Sequence, residues 1–455
     1  MADQTETAGT PSPATAAQSV GAQPVGFKGW YAVVMMAVVV MLAQVDRNII
    51  SLMVQPIKRD LDLSDTQISL LLGIAFTIPY AIAGPPMSRV ADGSWRKAVI
   101  AGSLAVWSLA TGLHTLAQGF WSFFASRAAI GAAESASAPA SFSMVADAVE
   151  PRHLPRAYAL FIAGRLGGGA LSLMLGGLLL RYLAGYESIA IPGFGQVHSW
   201  QLLFALVGLP GLLLALVIAL TVPNPRRQSG PGPQKYPVRE VFGFVRDQRG
   251  MHLPLLGAVL VGSIQSYGAI AWTPAFYERT YGWTPATAGT LLGMVGLISA
   301  TGGLFLGARV AEWFALRRDD ANLRVMCFSH LFAVPFMVLG PLMPNPWLAL
   351  SLGAVGGVIG TMGGPAYNAA LQLSTPNAMR SQVNAMYLFT MGAIGGAIGP
   401  TLIPLITDFV AGSEADLRYV LVGVRLLLGP LDAFLIWKAV APYARAYRAR
   451  RVAGE

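Results

Sequence analysis

Five ionisable side chains stand inside long apolar segments of this chain: Asp46, Arg47, Arg127, Glu134 and Arg165. A charge surrounded by hydrocarbon is costly, so it persists only where it is paired or lines a wet cavity. Two carboxylates and three guanidiniums in such a place can exchange partners, take up or release a proton, and hold an anion. All five belong to the first half of the sequence, which leaves the second half to supply an apolar wall.

Helical geometry sets who can meet whom. A span entered near Trp30 carries Asp46 roughly 24 Å along its axis, and a returning span entered near Trp121 leaves Arg127 about 9 Å from the same far side. The depths match, which predicts an Asp46–Arg127 pair, since each buried charge needs a partner. Arg127, Gly131 and Glu134 recur at helical spacing and share a face. Glu134 and Arg165 reach a similar middle depth, which predicts a second pair, Glu134–Arg165. On the first span Gln44, Asn48, Ser51 and Gln55 form one stripe with Arg47 at its edge, while Asp46 points the opposite way. Arg47, Gln44, Asn48 and Arg165 are therefore expected to meet cargo, and Asp46, Arg127 and Glu134 to couple protons. Static pairing is a weak reason to bury charge, because polar contacts in membranes are often worth only about 1 kcal/mol. Arg425 and Asp432 share a face near the end of the chain and read as a structural pair. His114 and His330 read as histidines satisfied by backbone carbonyls, and Asp147 as an interfacial charge.

The elements that position these groups follow from composition. The chain has 455 residues, 54% hydrophobic and only 12% charged, with mean hydropathy +0.55; soluble domains carry about 25% charged residues. It reads as an all-α membrane protein with twelve spans, near 30–53, 66–88, 98–117, 121–146, 156–181, 201–222, 252–277, 285–308, 323–343, 346–372, 381–407 and 418–440. Each is about the 20 residues needed to cross hydrocarbon. The net charge of +9 is distributed as topology requires with both termini cytoplasmic, which excludes a nucleic-acid face. Cys327 is the sole cysteine, so no intramolecular disulfide forms.

Residues 1–28 read as a disordered tail, 29–222 as a six-helix bundle, 223–250 as a cytoplasmic linker, 251–440 as a second bundle and 441–455 as a basic tail. The linker holds a Pro/Gly-rich patch at 229–237 and then a short surface helix, Val238 to Asp247. The halves repeat: Ser64 to Asp92 lies on Thr284 to Glu312 at a constant offset, with Leu71-Leu72-Gly73 on Leu291-Leu292-Gly293. Ala138-Pro139-Ala140 matches Gly364-Pro365-Ala366 more loosely. Glycines 164, 167, 168, 169, 176 and 177 crowd the fifth span and serve close helix packing.

Six spans plus six in parallel repeat is the layout of the major facilitator fold, two pseudo-symmetric six-helix bundles. Residues 88–97 resemble that superfamily's loop between spans two and three: Asp92, Arg96 and Lys97 match its pattern, whereas Ser88, Gly93 and Trp95 depart from it. The resemblance implies a cytoplasmic latch at Asp92, Arg96 and Lys97. Asp46-Arg47, Trp107-Ser108, the run Ser126-Arg127-Ala128-Ala129-Ile130-Gly131-Ala132-Ala133-Glu134-Ser135, then Pro139 and Asp147, resemble the Spinster-like branch. Spinster proteins are proton-linked carriers of sphingolipids and lysolipids. The resemblance implies that Asp46 is the proton site, Arg127 its switching partner and Glu134 a cavity carboxylate. Arg165 departs, standing where relatives often carry an apolar residue or proline. Sugar-acid and organic-anion symporters share Asp-Arg and Arg-x-x-x-Gly-x-x-Glu.

In this superfamily spans 7, 8, 10 and 11 face the cavity, and here they offer aromatics and methionines, among them Tyr267, Trp272 and Tyr367, with a little hydrogen bonding from Asn368. A polar half facing an apolar half suits an amphipathic cargo, its head toward Arg47 and Arg127 and its tail toward the second bundle. The expected function is alternating-access secondary transport, proton-coupled, of an anionic lipid-like molecule. The alternatives are a small organic anion, sugar acid or drug, or a non-transporting receptor or scaffold. No enzyme, cofactor or metal site is expected: there is no phosphate loop or paired-cysteine motif, and the glycines at 164–169 follow no strand. The expected partners are membrane lipids, the substrate and protons, for a multi-pass monomer in a bacterial plasma membrane.

Overall fold

Long apolar runs in hydrocarbon leave the backbone one local way to satisfy its own hydrogen bonds, the α-helix. The computed structural model describes residues 26–91, 95–185, 188–191, 195–224, 237–377 and 379–453. In chain order the helices are α1 (Phe27–Ile49), α2 (Val54–Leu61), α3 (Asp65–Leu72), α4 (Ile74–Ala91), α5 (Arg96–Leu113), α6 (Phe120–Glu134), α7 (Ser137–Ala148) and α8 (Leu154–Leu183). Then come α9 (Ser199–Thr221), α10 (Val238–Asp247), α11 (Arg249–Tyr281), α12 (Pro285–Ala315), α13 (Ala321–Leu342) and α14 (Pro346–Thr361). The last four are α15 (Gly363–Ser374), α16 (Arg380–Phe389), α17 (Gly396–Ile406) and α18 (Leu417–Ala453). A hairpin of β1 (Ser188–Ile191) and β2 (Gly195–His198) sits between α8 and α9, with Ser188 opposite His198. The sequence reading did not anticipate it. Asp92, residues 1–25 of the tail and residues 229–236 of the Pro/Gly-rich patch lie outside the described residues.

Among the described residues, 11 helices are long and apolar enough to cross a membrane. The segment expected as the fourth span is instead two shorter helices, α6 and α7. Ser135 lies at the break: its Oγ donates back to the Ala132 carbonyl at 2.7 Å, a back-bond of the kind that bends helices. The looser repeat explains itself at this point. Ala138-Pro139-Ala140 opens α7 just past that break, and Gly364-Pro365-Ala366 opens α15 just past the break at Met362.

The closer repeat is also visible as geometry. Ser64 caps α3 by accepting from Gln67 N–H at 3.1 Å, while the Gln67 amide oxygen accepts from Ser64 N–H at 2.9 Å. Thr284 caps α12 in the same way, accepting from Thr287 N–H at 3.2 Å. The matched glycines then sit at matched crossings. A Cβ on Gly73 would stand 3.1 Å from the carbonyl oxygens of Gly396 and Ala397, and one on Gly293 would collide with the Met174 backbone. So α3 and α4 approach α17 as α12 approaches α8, which places glycine where helices from the two ends of the chain meet. In α8 itself, Gly164 and Gly168 lie against the backbone of α1, and Gly177 against α12. Helix α10 forms at the bounds the sequence indicated, with Val241 and Val245 buried.

Gly131 is the tightest point near the charged residues: a Cβ there would collide with the Phe76 carbonyl oxygen. Gly131→Ala should therefore separate α6 from α4 and cost about 1–3 kcal/mol. Gly102→Ala, where nothing lies within 4 Å, should cost nothing. Thermal melts of the two variants in detergent check this. Equal melting temperatures would contradict the close-approach role.

Candidate functional site

The first span is one helix only as far as Ile49; a 3-10 turn at Ile50–Met53 then tightens it before α2. Up to that turn, α1 presents Arg47 and Asn48 to one side and Asp46 to another. Arg47, Asn48 and Ser51 line a central cavity of about 370 Å³, and Arg165 of α8 joins them. Facing these polar groups are Phe76, Tyr80, Phe142, Tyr267, Leu388 and Phe389. Gly392, Ala393 and Gly396 complete the wall where α16 passes through a π turn at Thr390–Gly395. Such turns recur at functional sites.

The ion pairs differ from those expected. Glu134 pairs with Arg47 rather than Arg165. Arg47 precedes the tight turn and is carried across α4 toward α6, its Cζ 4.3 Å above the Phe76 ring. Arg165 lines the cavity and has no carboxylate partner among the described residues. Asp46 and Arg127 are both buried, at 4% and 0% exposure, but form no direct pair. Asp46 Oδ1 accepts from the Thr111 hydroxyl of α5, and its Oδ2 has no partner. Arg127 Nε donates to the Leu71 carbonyl at 3.2 Å, near the end of α3 where helix carbonyls lack intrahelical partners. Among the described residues its Nη1 and Nη2 have no hydrogen-bond partner. The Phe76 ring lies 5.3 Å from Arg127 Cζ, so the two guanidiniums share one aromatic face-bearing residue. Phe76 was not singled out from sequence; nothing in an apolar span distinguishes a ring that separates two cations from one that packs a core.

Other expected contacts fall elsewhere. Trp272 is fully buried and donates to the Pro400 carbonyl at 2.8 Å. The Tyr367 ring is tilted 59° to that of Tyr387, their centroids 6.1 Å apart, and Asn368 donates to the Gly364 carbonyl at 3.1 Å. Gln44 lies against α8 at Gly168. None of these four lines the central cavity. Of the aromatics expected to touch cargo, Tyr267 and Phe389 line the cavity, whereas Trp272 is buried in the protein core and Tyr367 packs against Tyr387. His114 is buried between Phe123 and Phe204, with centroids at 4.2 and 4.8 Å, beside the Thr111 carbonyl. His330 bonds Asp432 at 2.6 Å rather than a carbonyl. Asp432 therefore takes a histidine, and Arg425 instead donates to Gln265 Oε1 at 3.1 Å.

Of the expected latch, Asp92 lies outside the described residues. Arg96 bonds Asp147 and Ser143 on α7, within the first half of the chain; Lys97 is half-buried. The network that joins the halves lies at the end of the molecule away from the termini. Arg279 grips Asp65 with both Nη atoms, at 2.6 and 2.8 Å, and Lys58 reaches Asp65 at 2.7 Å and Glu414 at 2.5 Å. Thr66 Oγ1 donates to Asp408 at 2.6 Å. Bidentate Arg–carboxylate contacts are among the strongest polar contacts available. They close the two halves together at that end. Sequence analysis singled out none of these residues.

Comparisons with known proteins agree with this architecture. A family model described as Major Facilitator Superfamily matches residues 36–400. An MFS-type efflux pump of Mycolicibacterium smegmatis is 29% identical over 426 residues, covering 92% of this chain and 94% of the pump. A hexuronate transporter of Escherichia coli is 21% identical, covering 72% of this chain and 76% of its own. Among solved structures, a bacterial homologue of the human lysosomal transporter Spinster, inward-facing and unoccupied, superposes with TM-score 0.78 at 22% identity, covering 94% of this chain and 98% of that one.

Removing the bidentate contact should open the sealed end. With Cys327→Ser as background, spin labels at Gln118→Cys and Pro344→Cys should report one short distance. Arg279→Gln should add a longer population. An unchanged distance distribution would mean that the Arg279–Asp65 contact does not hold the halves together.

Proposed function

Since the chain belongs to the Major Facilitator Superfamily, and is thus a multi-pass membrane transporter rather than an enzyme, we propose that it carries an anionic amphipathic molecule by proton-coupled alternating access. The observation that carries this reading is Arg165. Arg47 is neutralised by Glu134, whereas Arg165 faces the same cavity uncompensated. A cation in a low-dielectric cavity favours an anion. The wall contributed by Tyr267, Ile270, Leu388 and Phe389 offers contact to an alkyl or aryl body and little to a sugar. Its size lies within the range of small-molecule sites, roughly 300–1,000 Å³.

Asp46 and Arg127 supply the coupling. Between α1 and α6 the Arg47–Glu134 pair is made, while the Asp46–Arg127 pair is open on both sides. Protonating Asp46 removes the charge that holds Arg127 toward it. Arg127 and Glu134 share a face of α6, so a shift in Arg127 reaches the pair that lines the cavity. With the termini cytoplasmic, the sealed end is the outer one and the cavity belongs to an inward-facing state, the state of the Spinster homologue of similar fold. The bacterial relatives support a place in the plasma membrane.

A second reading has its own support. The efflux pump matches nearly the whole chain, which favours outward movement of a drug-like anion through the same cavity. Proteoliposomes with an imposed pH gradient separate the readings. Lysophosphatidylglycerol should move faster than glucuronate or a hydrophobic anionic drug. Arg165→Gln should reduce that movement about tenfold, the value of one charge-assisted hydrogen bond, while Arg165→Lys retains most of it. Asp46→Asn should abolish gradient dependence. Full gradient dependence in Asp46→Asn would end the coupling assignment, and preference for the drug would favour the second reading.

A further inference from the structure

A second cavity, of about 190 Å³, lies among α11, α13, α14 and α18, where the polar side chains of Gln265, His330, Thr361, Arg425 and Asp432 converge. It shares no lining residue with the central cavity. Glycines make the room: Gly262, Gly356, Gly357, Gly360 and Gly429 line it. A Cβ on Gly262 would point at Asp432 Oδ2 from 3.4 Å. The space is several times the roughly 30 Å³ a water occupies in the liquid.

Its polar groups are left half-used. Asp432 is 3% exposed. Its Oδ2 holds His330 Nδ1 at 2.6 Å, and its Oδ1 has no partner. Arg425 spends one donor on Gln265 Oε1 at 3.1 Å and forms no other hydrogen bond to the described residues, although a guanidinium has five N–H groups. Arg425 also borders a smaller cavity of about 100 Å³, together with Phe276, Tyr277, Phe336, Leu421 and Val424. The two cavities share Gln265, Met337 and Arg425. One side of Arg425 is therefore polar and the other apolar.

We propose that this pair of cavities is a second binding site, for a single-chain amphiphile whose headgroup carries a hydroxyl or ammonium donor beside an oxygen acceptor. The donor satisfies Asp432 Oδ1, the acceptor meets the spare Arg425 N–H groups, and the first carbons of the chain enter the apolar cavity while the rest runs out toward the bilayer. A simple carboxylate would satisfy Arg425 and be repelled by Asp432; a simple amine would do the reverse. Exposed Leu331, Phe332, Leu426 and Leu427 on α13 and α18 place the site on helices that face the bilayer. The ligand chemistry is that of a membrane lipid or of cargo in transit. This inference does not depend on Arg165 or on the central cavity.

Native mass spectrometry of the full chain, with 1-oleoylglycerol and oleate as probes, tests it. The expected result is a bound 1-oleoylglycerol that is lost about tenfold in Arg425→Gln and in Gly262→Val but kept in Arg165→Gln, with oleate bound more weakly. Should Arg425→Gln fail to fold, Gly262→Val, which fills space and removes no charge, decides alone. Transport assays on Gly262→Val then separate the sources: unchanged transport identifies a bilayer lipid, and reduced transport identifies cargo. No bound 1-oleoylglycerol, or binding equal in the wild type and in Gly262→Val, would overturn the proposal.

Discussion

A buried guanidinium with two nitrogens bonded to nothing is the constraint on which this molecule turns. Arg127 is wholly inside the protein, anchored through Nε to the Leu71 carbonyl, with Nη1 and Nη2 unpartnered among the described residues. Burying a charge without full pairing is costly, and breaking a buried pair is more so. The arrangement is tolerable because the opposite charge is near: Asp46, held by Thr111, keeps one carboxylate oxygen free. Neither group is satisfied by the other, so the local structure has a second arrangement within reach. A membrane protein gains little stability from such a pair, and under the proposed coupling its incompleteness is what lets the pair act as a switch.

The surrounding elements make that incompleteness possible. Gly131 lets α4 press its backbone on α6, which sets Phe76 beside both Arg47 and Arg127. Aromatic faces stabilise cations without supplying an anion. The Glu134 carboxylate is drawn to Arg47, and Arg165 lines the cavity without a carboxylate partner among the described residues. Far from these groups, Asp65 gathers Arg279 and Lys58 and ties together helices from both ends of the chain. The charges thus serve two separate tasks, one at the centre and one at the sealed end.

Much of this was legible in the sequence. Helical periodicity separated Asp46 from Arg47 correctly, since α1 has no irregularity before Ile50, and the repeat marked the glycines at which α3, α4 and α12 meet their neighbours. The failures are of two kinds. Depth along a helix does not specify azimuth, so Glu134 and Arg165 matched in height while Arg47 stood closer in direction. Residues near helix ends carry charge in any membrane protein, so Asp65, Arg279 and Glu414 could not be told from topology signals until the fold brought them together. Trp272 and Tyr367 show the same limit in apolar form: an aromatic on an inward-facing helix fills a core or a cavity, and spacing alone does not choose.

The most direct test of the account asks whether Asp46 carries the exchangeable proton and whether Arg127 governs it. Infrared difference spectroscopy of the reconstituted protein, titrated across the pH range in which it transports, reads the carboxylic-acid carbonyl band. The account predicts a band that disappears in Asp46→Asn and whose midpoint moves in Arg127→Gln. A band that persists without Asp46, or a midpoint indifferent to Arg127, would contradict it.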